Sequence, residues 1–272
     1  MENKHMITPY DKVLLARDVK RPVITDYIDA LFTDFFEMKG DRLGKEDASI
    51  LGGIAYFKGR PVTVIGHRKG RTLDENMKYN FGMPGPEGYR KALRLMKQAE
   101  KFLRPIVIFI DTPGAYPGIE AEANGQSIAI AENLAQMSQI KVPIIAIITG
   151  EGSSGGALAL GVADRIWMLE NAVYSILSPE GFASIMWKDS GKVKEACKVM
   201  KMTASEIYEQ GLIDGIIKEG KKGIQNSKNK GYAAIQKILV AELSDLSKLR
   251  GNVLVEQRYQ KFRNIDGSYS PS

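Results

Sequence analysis

With 272 residues, 44% hydrophobic and 26% charged, the chain has the composition of a soluble globular protein that can bury a core without covalent staples. Its single cysteine, Cys197, excludes an internal disulfide, and with only His5 and His67 beside it there is no Cys/His set for a structural zinc. The longest apolar stretches, such as Pro143 to Thr149, fall far short of the ~20 residues a membrane span needs, and no apolar signal region follows Met1, so a cytoplasmic protein is expected.

A formal net charge of +6 favours polyanionic partners such as a phosphate-bearing cofactor. The basic residues are nevertheless scattered. The densest groups, Arg68 to Arg71 and Arg90 to Lys101, lack the interleaved aromatics of a single-strand binder, which argues against nucleic acid.

Residues 1–22 read as a lead-in segment. A predicted helix starts at Thr25, carries Ile28, Leu31, Phe32, Phe35 and Phe36 at helical spacing, and is closed by Gly40. Two short strands follow, Gly53 to Phe57 and Val62 to Ile65, joined as a hairpin through Lys58-Gly59-Arg60-Pro61. Prolines and glycines crowd Asn80 to Pro86 into a shaped loop. Pro86 then opens an amphipathic helix, Glu87 to Leu103, with Tyr89, Leu93, Met96 and Ala99 inward.

Ile106 to Ile110 is a fully apolar predicted strand, ending in the turn Asp111 to Gly118. A helix from Gly125 to Gln139 follows, with Ile128, Ala131, Leu134 and Ala135 inward. The theme repeats with the strand Pro143 to Thr149, the turn Gly150 to Gly156, a short helix Ala157 to Val162 and the strand Arg165 to Leu169. Ala172 to Leu177 adds a strand, Ser178 caps a helix with Pro179 at its first position, and Lys192 to Met200 reads as helical, with Cys197 as a buried small hydrophobe. Thr203 and Glu206 form a capping box for a helix that Gly211 stops. Residues 220–230 suggest a mobile loop before one long helix, Tyr232 to Leu249, and residues 251–272 read as a tail. Alternating buried strands and helices with glycine turns at the strand ends predict an α/β fold with a largely parallel sheet, in a single domain over residues 23–250.

Two glycine-rich turns directly after buried strands leave backbone N–H groups unencumbered at one sheet edge, which suits an anion. Tight turning and close packing alone would also ask for glycine. Gly150-Glu151-Gly152-Ser153-Ser154-Gly155 matches the dinucleotide fingerprint, with Glu170 about twenty residues on. Its following helix is short, however, and the preceding unit has a glycine turn that a nicotinamide protein does not require. Asp111-Thr112-Pro113-Gly114 resembles a GTPase switch, but no phosphate-binding Gly-Lys-Ser/Thr loop accompanies it. Ser153 or Ser154 as a hydrolase nucleophile would have only His67 as an internal base.

Taken together, Gly52-Gly53, Gly66 to Gly70, Asn80 to Pro84, Asp111 to Gly118, Gly150 to Ala157 and Ser178 to Gly181 occur in the order and spacing of one family. The chain resembles the carboxyltransferase alpha subunit of bacterial acetyl-CoA carboxylase over Thr8 to about Arg263. Many members carry a longer helical N-terminal extension. The resemblance implies a crotonase-like (ClpP/crotonase) fold of repeated strand-strand-helix units with extra helices at both ends. It implies transfer of a carboxyl group from carboxybiotin, borne on the biotin carboxyl carrier protein, to acetyl-CoA, giving malonyl-CoA for fatty acid biosynthesis. No cofactor is expected to be covalently bound and no zinc is expected.

The same resemblance implies a site divided between two chains. This one supplies the hole for the biotin oxyanion, and a beta subunit of the same fold supplies that for acetyl-CoA, in an α2β2 heterotetramer that joins biotin carboxylase in a larger complex. The expected hole residues are Gly155 and Gly156, with Gly114 and Ala115 on the opposite wall. Tyr116, Pro117, Gly118 and Ser154 shape the carboxybiotin pocket. Arg68, Lys69 and Arg71 are candidate contacts to CoA phosphates or the carrier. Glu151 and Glu180 are the carboxylates nearest the turns and are expected to be structural, as is His67. Apolar faces on the Thr25 and Tyr232 helices are expected to make subunit contacts. A hydratase or isomerase acting alone, which would place a glutamate pair at the hole, stays open as an alternative.

Overall fold

In the computed structural model, which describes residues 7–265, the two most apolar segments become the central strands of one sheet. The elements are, in chain order, α1 (Pro9–Ala16), α2 (Ile24–Leu31), β1 (Thr33–Glu37), β2 (Ile50–Phe57), β3 (Arg60–His67), α3 (Leu73–Lys78), α4 (Pro86–Lys101), β4 (Ile106–Thr112), α5 (Ile119–Ala123), α6 (Gln126–Met137), β5 (Ile144–Ser153), α7 (Ser154–Leu158), β6 (Arg165–Leu169), β7 (Val173–Ser175), α8 (Pro179–Trp187), α9 (Val193–Val199), α10 (Ala204–Glu209), β8 (Gly215–Ile217), α11 (Lys228–Leu246) and α12 (Gly251–Arg263). The sheet runs β1-β2-β3-β4-β5-β6-β8, with β7 beside the far end of β5. Pairing is antiparallel from β1 to β3 and parallel from β3 to β8.

Every residue of β4 and β5 is buried, as strands covered on both faces must be. Lys58 and Gly59 close the β2–β3 hairpin with positive φ at both positions, the two-residue turn whose twist suits a hairpin. Helix α4 lays Ala92, Leu95, Met96 and Ala99 against the sheet and Tyr89 against Ala129 of α6 and Ala159. Ser178 accepts the Gly181 N–H to cap α8, and Thr203 with Glu206 forms the expected capping box on α10. Cys197 is buried among Val13, Ala16, Val173 and Met202, a packing role.

Several expectations need correction. The helix from Thr25 ends at Leu31, and Phe35 and Phe36 belong to β1, where Phe36 pairs with Ile54; aromatic residues at helical spacing also satisfy an edge strand. The inward face of α6 is Gln126, Ala129, Asn133 and Met137, whereas Ile128 is 65% exposed. Gly150 to Ser153 continue β5, so the second turn begins only at Ser154 and the following helix starts three residues before Ala157. Residues 220–230 are tied down: the Glu219 carboxylate accepts the N–H groups of Ile224 and Asn171, and Ile224 is fully buried.

Residues 9–16 of the lead-in and 251–263 of the tail are helical, while residues 1–6, including His5, and 266–272 lie outside the described residues. The apolar faces of α2 and α11 are consumed within the chain. Tyr27 stacks on Phe109 at 5.1 Å and meets Tyr232 edge-on, and Ile235, Leu239 and Leu243 join the core. They leave little for a second subunit.

Helix α12 is locked on by a buried pair. Arg258, 1% exposed, donates to both Asp164 oxygens at 3.0 and 2.8 Å and to the carbonyls of Met137 and Ile140. Removing one partner of such a pair strands a buried charge. Arg258→Leu should therefore lower unfolding free energy by about 3–5 kcal/mol, read by urea denaturation; an unchanged midpoint would contradict the lock.

Candidate functional site

The first turn is folded by its own side chains and then pinned from outside. Thr112 Oγ1 donates to the Gly114 carbonyl at 2.7 Å and accepts the Gly114 N–H at 3.0 Å, and Gly114 takes a φ of +146° that glycine tolerates. The Tyr116 N–H donates to the Pro84 carbonyl at 2.9 Å, and the buried Gln126 amide donates to the carbonyls of both Pro84 and Tyr116. The Tyr116 ring folds over Gly118, where a Cβ would lie 2.3 Å from it. Among the described residues the Ala115 N–H has no acceptor.

The loop that offers Pro84 owes its shape to three consecutive left-handed residues, Asn80, Phe81 and Gly82. That turn lets the chain pass over the Lys69 stem, since a Cβ on Gly82 would stand 2.8 Å from Lys69 Cγ.

The second turn is abrupt. Strand β5 runs through Ser153 with β7 alongside, and Ser154 then adopts a φ of +58°, a strained setting for serine. Helix α7 begins there with no side-chain cap, so the N–H groups of Gly155 and Gly156 have no acceptor among the described residues. Gly156 is pressed onto the first turn: a Cβ would lie 2.4 Å from Ala115 N and 2.5 Å from the Gly114 carbonyl carbon. Gly155 is roomier, its nearest neighbour being Ile130 at 3.8 Å. The free donors of the two turns are thus neighbours, which suits an anionic oxygen.

An ion-pair network lies behind them. Lys69 Nζ sits 2.7 Å from Asp111 Oδ1 and 3.0 Å from Glu151 Oε2, and Arg17 bridges Glu151 at 2.7 Å and Glu180 at 2.6 Å. Burial opposes the Lys69 charge, but Asp111 and Glu151 outweigh it and its pKa is raised. Burial likewise pushes the Glu151 pKa up, and Lys69 with Arg17 overcomes this and holds it low. Both glutamates are therefore ions held by Arg17, and neither is a free general base.

His67 is 1% exposed beneath the turns, with no well-formed hydrogen bond at either ring nitrogen. Burial, with Lys69 adding to it, holds its pKa down at about 3 against an opposing pull from the backbone of Gly156 and Phe109. Among the described residues there is no Ser–His pair: Ser153 Oγ meets Ser175 Oγ at 3.2 Å. The dinucleotide reading also fails, because Gly150 and Gly152 lie in a paired strand and Glu170 is taken by Lys218 and the backbone of Glu219 and Gly220.

The structure brings Gly114, Ala115, Gly155 and Gly156 together, with Tyr116, Pro117 and Gly118 continuing the first turn and Ser154 opening the second. Beside Ser154 and Gly155 lies an apolar cavity of about 400 Å³ walled by Leu158, Tyr174, Ile176 and Phe262. The basic trio is dispersed: Arg68 stacks over Tyr79 at 4.3 Å, Arg71 pairs with Asp26, and Lys69 turns inward. Sequence reasoning missed Arg17 and Gln126; a lone Arg in a lead-in segment and a Gln at a helix start carry no local signal.

Glycine turns at the ends of adjacent parallel strands, with backbone donors that find no acceptor among the described residues where they meet, are the defining geometry of the site. The fold agrees with that of transcarboxylase 12S, solved with methylmalonyl-coenzyme A and methylmalonic acid bound, at a TM-score of 0.70 and 19% identity over 92% of this chain and 47% of that one. The chain belongs to the acetyl co-enzyme A carboxylase carboxyltransferase-like family, whose sequence model matches residues 2–266. It is 55% identical over 265 residues to the acetyl-coenzyme A carboxylase carboxyl transferase subunit alpha of Clostridium acetobutylicum, covering 97% of each chain. It is 56% identical to that of Shouchella clausii, covering 95% of this chain and 80% of the relative.

His67 gives the site a measurable acid sensitivity. Below 6.5 the unfolded chain binds a proton that the folded chain refuses until about pH 3, so stability from this group is intact above 6.5 and falls with pH across that window. The slope is about 1.4 kcal/mol per pH unit. Unfolding free energies of His67→Gln between pH 6.5 and about 5 should lose that share of the slope; an identical slope in both proteins would show that His67 is protonated when folded.

Proposed function

We propose that this chain forms the alpha half of a split carboxyltransferase site, acting on carboxybiotin and acetyl-CoA to make malonyl-CoA for fatty acid biosynthesis. The observation that carries the reading is the seating of Gly156 against Gly114 and Ala115, beside three backbone N–H groups without acceptors. Biotin, delivered by the biotin carboxyl carrier protein, supplies the carboxyl group and a ureido oxygen that gains negative charge as that group leaves. The chain's part is to meet that oxygen with donors already in place, which avoids reorganisation during the reaction. Tyr116, Pro117, Gly118 and Ser154 shape the approach.

The turns serve one oxyanion, and the thioester oxygen of acetyl-CoA needs another set of donors, so a beta subunit of the same fold completes the site in an α2β2 assembly. Large apolar side chains flank both turns: Ile119 and Ile176 are 89% and 79% exposed, and Tyr116 and Leu158 are also uncovered. Such a surface calls for a partner. Arg68 and Arg71 remain at the surface as contacts for phosphate or carrier. With biotin carboxylase the assembly works in the cytoplasm; no helix among the described residues is long and apolar enough to cross a membrane.

The test is reconstitution with the beta subunit encoded in the same genome, following biotin-dependent malonyl-CoA formation. The isolated chain should be inactive, and turnover without a second subunit would sink the split site. In the complex, Gly156→Ala should cost about 10²–10³-fold in rate with assembly retained. Gly155→Ala, whose Cβ finds only ordinary contacts, should fold as wild type; full activity of Gly156→Ala would refute the role given to the junction.

A further inference from the structure

We propose that Lys69 is a positioning residue for the oxyanion-binding turns: its ammonium, clamped between Asp111 and Glu151, aligns the ends of β4 and β5 so that Gly156 stays seated on Gly114 and Ala115. The proposal rests on the carboxyltransferase reading above and assigns Lys69 a place in it other than contact with phosphate.

The need for such a clamp comes from the sheet. β4 and β5 pair in regular register from Ile106↔Ile144 to Ile110↔Ile148, and the next pair is Thr112↔Gly152. Asp111 of β4 therefore faces three residues of β5, Thr149, Gly150 and Glu151, and the ladder lapses just before both turns. Side chains take over at that gap. Asp111 Oδ1 accepts the Glu151 N–H at 2.9 Å, Thr149 Oγ1 donates to the Ile110 carbonyl at 3.3 Å, and Arg21 Nε donates to the Thr149 carbonyl at 2.6 Å. Lys69 closes the ring by bonding Asp111 and Glu151 together, one from each strand.

The fit is close on every side. Gly150 has no room for a Cβ, which would lie 2.4 Å from Asp111 Oδ1, and the Lys69 stem runs under Gly82 in the loop whose Pro84 holds Tyr116. One side chain thus touches the supports of both turns. Lys69, Asp111 and Glu151 have side chains only 17%, 11% and 8% exposed, so solvent screens their attraction poorly. The charged groups facing Glu151 are Arg17 after α1, Lys69 after β3, Asp111 of β4 and Glu180 of α8, while neutral His67 lies near Lys69. Without Lys69, three carboxylates face the single charge of Arg17.

The experiment compares wild type, Lys69→Met, Lys69→Arg and Lys69→Met/Glu151→Gln in the reconstituted alpha–beta complex. Lys69→Met should lose about 10²-fold in kcat with KM little changed, since a small misplacement of aligned groups costs that much. Its acid limb should move up by about one pH unit or more, because one of two crowded carboxylates then takes a proton. Lys69→Arg should recover about tenfold by restoring the charge. The double variant, relieved of repulsion, should recover thermal stability but not kcat. A Lys69→Met complex within about twofold of wild type overturns the proposal, as does a loss equal at every pH that the double variant repairs. If Lys69→Met fails to fold, the double variant decides alone, and near-wild-type kcat in it overturns the proposal. An inactive wild-type complex instead defeats the carboxyltransferase reading itself.

Discussion

The arrangement at the sheet edge depends on a backbone-to-backbone contact: Gly156 against Gly114 and Ala115. Any side chain at position 156 would occupy space already held by the first turn. The contact requires two strands to end at the same height, and parallel pairing of β4 with β5 through Ile110↔Ile148 provides that height. Each strand is apolar up to that pair and buried along its whole length, so the edge that carries the turns is set by the most rigid part of the core. Backbone donors placed this way cannot rotate away as side chains can, which is the property an oxyanion site needs.

Such a junction has a cost in regularity. The β4–β5 ladder breaks just before it, Ser154 is held in a left-handed conformation, and Asn80 and Phe81 take positive φ in the supporting loop. Buried charge compensates for the missing ladder. Arg17 reaches Glu151 and Glu180, so the segment ahead of α2 belongs to the site's support and is more than a lead. At the other end of the chain, Arg258 fixes α12, which brings Phe262 to the wall of the cavity beside Gly155. Both ends close around the turns.

Sequence order revealed most of this core. The strands at Ile106 and Arg165, the β2–β3 hairpin, the Ser178 cap and the first glycine turn are local patterns, and each was legible for a local physical reason. Where tertiary pairing competes with local pattern, legibility ended. Phe35 and Phe36 fit a helix face as well as an edge strand, and only pairing with β2 decides. Gly150 to Ser153 look like turn residues, yet β7 arrives from twenty residues downstream to hold them extended. In α6 the apolar Ile128 faces out and the polar Gln126 and Asn133 face in, where they hold the Pro84, Tyr116 and Ala159 carbonyls. The ion-pair network was invisible for the same reason: Arg17 and Glu180 are 163 residues apart.

That inversion on α6 connects the fold to the division of the site. A helix that turns Ile128 outward and pins the first glycine turn with the buried Gln126 satisfies two demands at once. Its inner face donates to the Tyr116 and Ala159 carbonyls and adds a second donor at Pro84, and its outer face, with Ile119 on the neighbouring helix, offers apolar surface beside the turns. The split site proposed above gives that outward face a use, as apolar surface for a second chain beside the turns.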